Sequence, residues 1–455
     1  MIKRNILTEL SAWTRSDSRK PLVLRGARQI GKTFVIREFA KTKFENFFEL
    51  NLEKEHELRL FQSVTDARKQ ISILEAYFGK TIDPSNSLLF IDEIQHSKIA
   101  VQMLRYFSEE LPSLPVIVAG SLLDVVLKES EVVFPVGRVQ YLYMHPVTFD
   151  EFLKTYYPKN HEELSQISIR TEIPLALHDL YTMRVQEYSL IGGMPEAIVT
   201  YQKNKKIVEV DSVFQSLVQG FYDDINKYAK GAELNYIRHV LYSLPPFVGT
   251  EIFYKGFGGS NYGSREMMAA FQKLEDVGLL HRIHSSRSVA LPIISNLRKR
   301  AKLIALDMGI INFLLKQRES FLGTQYLENV YKGSIAEQFV AQSLIDRELL
   351  ITSKPNYWYR DKKGSTAEVD FLIEYAGALL PIEVKNSNDG FLRSMQSFID
   401  ESQKTGIACK LGVRVSPQVL KTEIHTTPKG LDFKVINLPF YLVWRVSDER
   451  FWNLL

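Results

Sequence analysis

The chain has 455 residues, too many for one ordinary hydrophobic core, so roughly two to four domains are expected. With 45% hydrophobic and 24% charged residues the composition is globular rather than disordered, and a net charge of +4 excludes a polycation that would hold nucleic acid by bulk charge. A single cysteine, Cys409, excludes an internal disulfide and a cysteine-based zinc site, which fits a reducing, cytoplasmic location.

The first residues, Met1 to Leu7, include Lys3 and Arg4 but lead into no continuous apolar core, so they do not read as a signal peptide. The strongest apolar stretch, from Pro115 to Leu127, is broken by Ser121 and Asp124 and falls short of the about 18 residues that span a bilayer. No membrane association is expected. From Leu22 to about Pro146 short apolar runs alternate with amphipathic helical stretches, the pattern of an α/β unit with a parallel sheet. Strands are predicted over 22–24, 46–50, 88–91 and 116–119.

The first of these strands runs into Gly26-Ala27-Arg28-Gln29-Ile30-Gly31-Lys32-Thr33, a G-x-x-x-x-G-K-T loop that cradles phosphates at the start of a helix. Gly26 and Gly31 let backbone N–H groups turn inward without a Cβ in the way. Lys32 supplies a point charge for the β- and γ-phosphates, and Thr33 a hydroxyl for Mg²⁺. The matching acidic signal is Leu88-Leu89-Phe90-Ile91 followed by Asp92-Glu93. Asp92 at a strand end would hold the magnesium, and Glu93 would polarise the attacking water. ATP and Mg²⁺ are therefore the expected cofactors. Ser121, beyond the strand 116–119, is placed to face the γ-phosphate or, equally, to cap a helix from Leu122. Arg138, after Gly137, is a candidate arginine finger, from the same or a neighbouring subunit, or else a solvated arginine.

From about Phe149 to Tyr228 the pattern is helical, interrupted by a turn at Gly192-Gly193-Met194-Pro195. Met267, Ala270, Phe271, Leu274 and Val277 lie at helical spacing, and Gly278 stops that helix before the strand-like Leu279 to Ile283. Helix, glycine, strand and turn, ending by Ile293, suggest a winged helix. Pro245-Pro246-Phe247 and Gly256-Phe257-Gly258-Gly259 insert where a compact winged helix would be tight, and the presumed recognition helix, Ser264 to Val277, carries only Arg265 and Lys273 as basic residues. Arg282 and Arg287 fall on the presumed wing. Arg298-Lys299-Arg300 with Lys302 is the densest basic run, a candidate for phosphate contact or a solvated turn.

After about Gly323 a second α/β pattern begins, with a helix over 333–347, strands near 356–360, 367–374 and 379–385, a helix over 391–404 and a strand over 407–413. Strand periodicity puts Glu368 and Asp370 on one face, and Glu383 and Lys385 on one face of the next strand. Asp370, Glu383 and Lys385 would converge, with Glu337 on the preceding helix as a further carboxylate. Carboxylates that hold Mg²⁺ beside an ammonium suit phosphodiester hydrolysis. The same spacing also describes an amphipathic hairpin with a salt-bridged outer face.

The loop Gly26-x-Arg28-Gln29-x-Gly31-Lys32-Thr33, Phe90-Ile91-Asp92-Glu93-Ile94-Gln95 and Gly192-Gly193-x-Pro195-Glu196 resemble a family of prokaryotic AAA-type ATPases. So do Lys302-x-x-x-x-Asp307-x-Gly309, Gly333-x-x-x-Glu337, Glu368-Val369-Asp370-Phe371 and Ile382-Glu383-Val384-Lys385, and the resemblance covers nearly the whole chain. It implies a P-loop AAA-type domain over 1–160, a helical and winged-helix-like segment over 161–320 and a restriction-endonuclease-like domain of the PD-(D/E)xK group over 321–455. It places the ATP site at Lys32, Thr33, Asp92 and Glu93, and a nuclease-like site at Glu337, Asp370, Glu383 and Lys385. Two functions follow: an ATPase coupled to DNA binding or processing, or a nucleotide-dependent switch or scaffold whose C-terminal domain binds a protein partner without chemistry. DNA and further copies of the chain are the candidate partners. A metabolic kinase would leave the long C-terminal half unexplained.

Overall fold

The computed structural model describes residues 2–62, 66–120, 123, 135, 137–316, 334–345, 354–360, 367–385, 392–406 and 409–452. Ser121 and Gly333, both named above, lie outside these residues.

The first sheet is wholly parallel, with strands β1 (Leu22–Arg25), β2 (Asn46–Asn51), β3 (Ser87–Asp92), β4 (Val116–Ala119) and β5 (Gln140–Tyr143) in the order β2-β3-β4-β1-β5. Every residue of β3 and β4 is buried, as continuous apolar runs require when helices cover both faces. Alternate residues feed two cores. Leu22, Leu24, Leu88 and Phe90 face one side, and Val23, Leu89, Ile91 and Val118 the other. β1 and β3 both end at the same edge, which puts the phosphate loop beside Asp92.

Helices fill the stretch predicted to be helical, at Phe149–Tyr156, Pro158–Gln166, Leu175–Ile191, Pro195–Asn204 and Ile207–Tyr228. Ala232–Ser243 and Ser264–Asp276 follow, and Gly278, at φ +76°, ends the last of them as expected. The strand pair after it differs from the expectation. Strand β6 (Leu280–Ile283) pairs antiparallel with β9 (Lys302–Ala305), in register Leu280 with Ala305 and Ile283 with Lys302. The short strands between them, β7 (Ser285–Ser286) and β8 (Ser295–Asn296), join the C-terminal sheet instead, through β10. The reason lies in β9, whose Leu303 and Ala305 enter one core while Ile304 enters another. A strand apolar on both faces belongs between two layers, not on an exposed wing.

The C-terminal sheet has eight strands in the order β14-β15-β13-β12-β11-β10-β7-β8. Its further members are β10 (Asn356–Tyr359), β11 (Glu368–Tyr375), β12 (Ala378–Val384), β13 (Leu411–Ser416), β14 (Lys421–Thr426) and β15 (Asp432–Pro439). β10, β11 and β12 run antiparallel, while β12, β13 and β15 run parallel. The helix Arg393–Ser402 covers one face through Met395, Phe398 and Ile399, and Ser334–Ile345 packs on the other. Because β7 and β8 belong to this sheet, backbone pairing crosses the divide expected at residue 320. The chain is α/β, with a parallel P-loop sheet, a largely helical middle and a mixed C-terminal sheet.

Two segments of the middle region lock together at Asp307. Its carboxylate caps the helix Met308–Leu314 at Ile310 N (3.1 Å) and also accepts from Gly193 N. A Cβ on Gly309 would lie 2.6 Å from Gly192 N and 2.7 Å from Gly192 Cα, backbone atoms that cannot swing aside. Alanine at that helical position gains about 1 kcal/mol of propensity but forces overpacking of about 1–3 kcal/mol. Gly309→Ala is therefore expected to destabilise, seen as a lower urea midpoint; an unchanged or raised midpoint would contradict this docking.

Candidate functional site

The loop after β1 has the backbone that its sequence demands. Gly26 takes φ +137° and Gly31 φ +92°, and a Cβ on Gly26 would lie 2.2 Å from Met144 O. Gln29 adopts φ +64° between them, and the buried Ala27 and Ile30 anchor the loop to the core. The helix Lys32–Lys43 then begins at Gly31, so its free N–H groups and positive dipole end face the loop. Lys32 is buried. Its Nζ donates to Gly26 O (2.9 Å) and Ala27 O (2.7 Å). Burial pulls the Lys32 ammonium down to about 8, against the opposing pull of Glu93 and Asp92.

Thr33 Oγ1 donates to Asp92 Oδ2 at 2.6 Å, which joins the loop helix to the end of β3. Burial raises the Asp92 carboxyl above its ordinary value, opposed by the Thr33 hydrogen bond. A hydroxyl and a carboxylate at this separation are a fitting oxygen pair for a hard divalent cation. Glu93 follows in the left-handed region at φ +51°, and its carboxylate accepts from Gln95 Nε2. Glu53 and His96 bring ligand atoms within 4.8 Å of Glu93 and of one another.

The middle region closes over this loop. Arg28 ion-pairs with Asp224 of the helix Ile207–Tyr228. A Cβ on Gly31 would stand 3.7 Å from Pro195 Cγ, and one on Gly278 would stand 3.4 Å from Ala27 N. Arg4, read from sequence only as a basic N-terminal residue, is buried: it donates to Ile30 O (3.0 Å) and pairs with Glu151 (2.9 Å). Nothing local in the sequence marks that role, because its partners lie far along the chain.

Arg138 is not brought to the loop within one chain. It precedes β5 at the sheet edge opposite the loop and bonds Glu109 Oε1 at 2.7 Å. β5 runs parallel to β1, so the start of one lies beside the start of the other, a strand length from the phosphates.

In the C-terminal sheet two of the expected residues, Glu337 and Asp370, gather with Glu368 around a cation expected elsewhere, while Glu383 and Lys385 pair with each other. Lys302 Nζ lies 2.9 Å from Glu337, 2.9 Å from Glu368 and 3.2 Å from Asp370, with its side chain 4% exposed. Asp370 Oδ2 also accepts from Val384 N (2.8 Å), while Glu383 Oε1 accepts from Met395 N (2.8 Å) and Glu383 Oε2 pairs with Lys385 at 3.1 Å. Burial, then the Asp370 charge, pushes the Glu337 carboxyl up to about 7 against the pull of Lys302. Burial raises Glu383 as well, opposed by Lys385. Although burial disfavours its charge, Lys302 is held above the ordinary lysine range by Asp370, Glu337 and Glu368. Lys302 thus has no part in a phosphate-facing basic run. Its signal was a lysine heading the apolar stretch Leu303-Ile304-Ala305.

Four of the other basic residues considered for DNA are engaged internally. Lys299 pairs with Glu251 (3.0 Å) and lies over Tyr359, while Lys273 binds Tyr228 O and Glu233, both at 2.9 Å. Arg282 is buried against Glu275 (2.7 Å), and Arg287 donates to Tyr359 Oη (2.6 Å). Arg265 and Arg298 are exposed.

Residues 18–153 match the model of an AAA domain. The N-terminal unit is an AAA-type P-loop domain. Residues 182–320 and 332–441 match two further models, each described as a domain of unknown function (DUF8612 and DUF4143). No curated protein matches the chain. Solved structures similar to it include the ORC2 protein of Aeropyrum pernix in its ADPNP-ADP complexes, at 11% identity over 71% of this chain and 96% of that one, with a TM-score of 0.36. The Holliday junction branch migration motor RuvB of Thermotoga maritima shares 13% identity over 66% and 92%, TM-score 0.30. The Aeropyrum pernix ORC1 protein in complex with DNA shares 11% over 70% and 92%, TM-score 0.30. At such scores these likenesses carry no argument about function. Among the described residues no helix is long and apolar enough to cross a membrane.

The titration of Lys32 gives a pH signature. Phosphate oxygens favour its charged form, so the bound pKa rises above the free value of about 8 and binding takes up a proton between the two. ATP affinity is expected to be level below about pH 8 and to fall by up to about tenfold per unit above it. Titrations of fluorescent ATP analogues across pH 7–10 check this, with Lys32→Arg as the variant that loses the dependence.

Proposed function

We propose that this chain is a Mg²⁺-dependent ATPase whose nucleotide cycle is coupled to a cation-binding, nuclease-like cluster that acts on DNA. The observation that carries the ATPase part is the Thr33–Asp92 hydrogen bond, which sets a hydroxyl and a carboxylate side by side at the phosphate loop. Thr33 and Asp92 would hold Mg²⁺, which neutralises charge on the β- and γ-phosphate oxygens. Lys32, released from the Gly26 and Ala27 carbonyls, pairs with the same oxygens, and the loop N–H groups complete the cradle. Glu93 accepts the proton of the attacking water and Gln95 holds its carboxylate. A finger role for Arg138 requires a second copy of the chain, since its own sheet keeps it from the phosphates.

The DNA part is supported by Asp370, whose charge acts on both Glu337 and Glu383, and by the Lys385 ammonium on Glu383, hard oxygen donors with an ammonium alongside. The second reading, a nucleotide-driven switch whose C-terminal domain performs no chemistry, is favoured by Lys302, which fills the space between Glu337, Asp370 and Glu368.

Lys32→Ala is expected to abolish ATP binding. Glu93→Gln is expected to keep binding and lower turnover by about 10²- to 10⁴-fold, the range a positioned general base supplies; equal turnover by parent and variant would remove Glu93 from the role. Asp370→Ala and Lys385→Ala should each abolish Mg²⁺- or Mn²⁺-dependent nicking of plasmid DNA. If the parent protein leaves single-stranded, duplex and branched DNA intact with both metals and ATP, the switch reading replaces this one.

A further inference from the structure

We propose that Lys302 is the built-in cation of the C-terminal acidic cluster and that the nucleotide state of the P-loop decides whether it stays there. The inference rests on reading that cluster as a cation site. Lys302 belongs to the middle region, not to the strands that supply the carboxylates, so its ammonium is a removable occupant. Its three contacts, to Glu337, Glu368 and Asp370, take carboxylates on which a divalent ion would depend.

The strand that carries Lys302 is tied to the nucleotide site at its other end. β9 runs from Lys302 to Ala305 and leads into Asp307, which accepts from Gly193 N in the turn whose Pro195 stands over Gly31. Its partner β6 begins after Gly278, which is packed against Ala27 of the phosphate loop. The loop-proximal ends of both strands therefore lie next to segments that stand close to the P-loop, β9 through the Asp307–Gly193 hydrogen bond and the Pro195 ring near Gly31, β6 through Gly278 near Ala27, while their far ends, Ile283 and Lys302, lie at the cluster. A ribbon with backbone hydrogen bonds along its length moves as a unit, so a shift at Gly31 or Ala27 on phosphate binding is passed to Lys302. This gives the Lys302-x-x-x-x-Asp307-x-Gly309 motif a single purpose: Asp307 and Gly309 dock the ribbon on the Gly192-Gly193 turn, and Lys302 reports its position.

Mn²⁺ titration of the full-length protein, followed by electron paramagnetic resonance, tests the idea. Lys302→Met is expected to gain one Mn²⁺ site at least tenfold tighter than any Asp370-dependent site in the nucleotide-free parent, and Asp370→Ala added to it should remove that site. In Glu93→Gln protein with Lys302 intact, the Asp370-dependent site should appear with ATP and not with ADP; this arm needs no change at Lys302 and decides the matter if the methionine variant does not fold. Equal Mn²⁺ affinity in nucleotide-free parent and Lys302→Met would overturn the built-in cation while leaving the cation site standing. Equal occupancy with ATP and ADP would overturn the coupling. No Asp370-dependent Mn²⁺ in any protein would sink the cation site, and the inference with it.

A separate observation supports a second inference: Gln95 is a positioning residue for Glu93. Its Nε2 donates to the Glu93 carboxylate, while its Oε1 is buried against Gly120 with no protein donor, so close that a Cβ on Gly120 would lie 2.1 Å away. The amide is clamped between the end of β4 and the base. Gln95→Ala and Gly120→Ala should each lower kcat at least tenfold with the Kd for ATP unchanged. Gln95→Glu, equal in size but repelling Glu93, should fall further than Gln95→Ala. A kcat within twofold of the parent in Gln95→Ala, or Gln95→Glu no slower than Gln95→Ala, would overturn the inference; a parent without ATP turnover would overturn the ATPase reading instead.

Discussion

A two-stranded ribbon buried on both faces governs how this molecule is put together. β6 and β9 lie between the core that supports the P-loop sheet and the core under the C-terminal sheet, with Leu280, Leu303 and Ala305 on one side and Ile283 and Ile304 on the other. Isolated two-stranded ribbons are marginal in water, so this one exists because both neighbours cover it. The consequence is that the two charged clusters share a structural part: Gly278, just before the ribbon, stands close to Ala27 of the phosphate loop, and the ribbon's far end places an ammonium among carboxylates.

At the phosphate loop, the charges are held in a form ready for exchange. Lys32 is out of water and bound to two carbonyl oxygens, and Asp92 is out of water and bound to a threonine hydroxyl. Neutral partners satisfy these groups only in part; a hydrogen bond to a charged group contributes roughly 1.5–3 kcal/mol, less than a buried charge loses on leaving water. The proposed triphosphate and magnesium would supply full opposite charges to both. The loop is thus arranged so that ligand binding relieves two buried charges at once.

The C-terminal cluster shows the opposite balance. Three carboxylates face one buried ammonium, and leaving such a group without its partner typically costs about 3–5 kcal/mol. Burial, with the neighbouring Asp370 charge added to it, drives the Glu337 carboxyl up to about 7. A divalent ion would neutralise the cluster more completely than one lysine does. Meanwhile the basic residues that looked free for phosphate contact, Lys273, Lys299 and Arg282, are spent on Glu233, Glu251 and Glu275. Of the basic residues named for phosphate contact, Arg265, Arg298 and Arg300 stay exposed.

The sequence by itself settled the local matters. The strand–loop–helix at 22–43, the acidic end of the strand at 87–92, the helical stretch around Gly192-Gly193, the stop at Gly278 and the pairing of β11 with β12 all follow from patterns within a few residues of one another, where backbone freedom, periodicity and apolar runs leave few choices. Tertiary structure decided which distant residues meet. Lys302 looked like one more member of a basic run until β9 was buried between two cores, Arg4 was a tail residue until it reached Ile30, and Arg138 was a finger candidate for its own or a neighbouring subunit until parallel pairing set it at the far end of its own sheet and left only the neighbour. Such meetings depend on the packing of elements tens of residues apart or more, and a charge carries no local mark of the partner that will neutralise it.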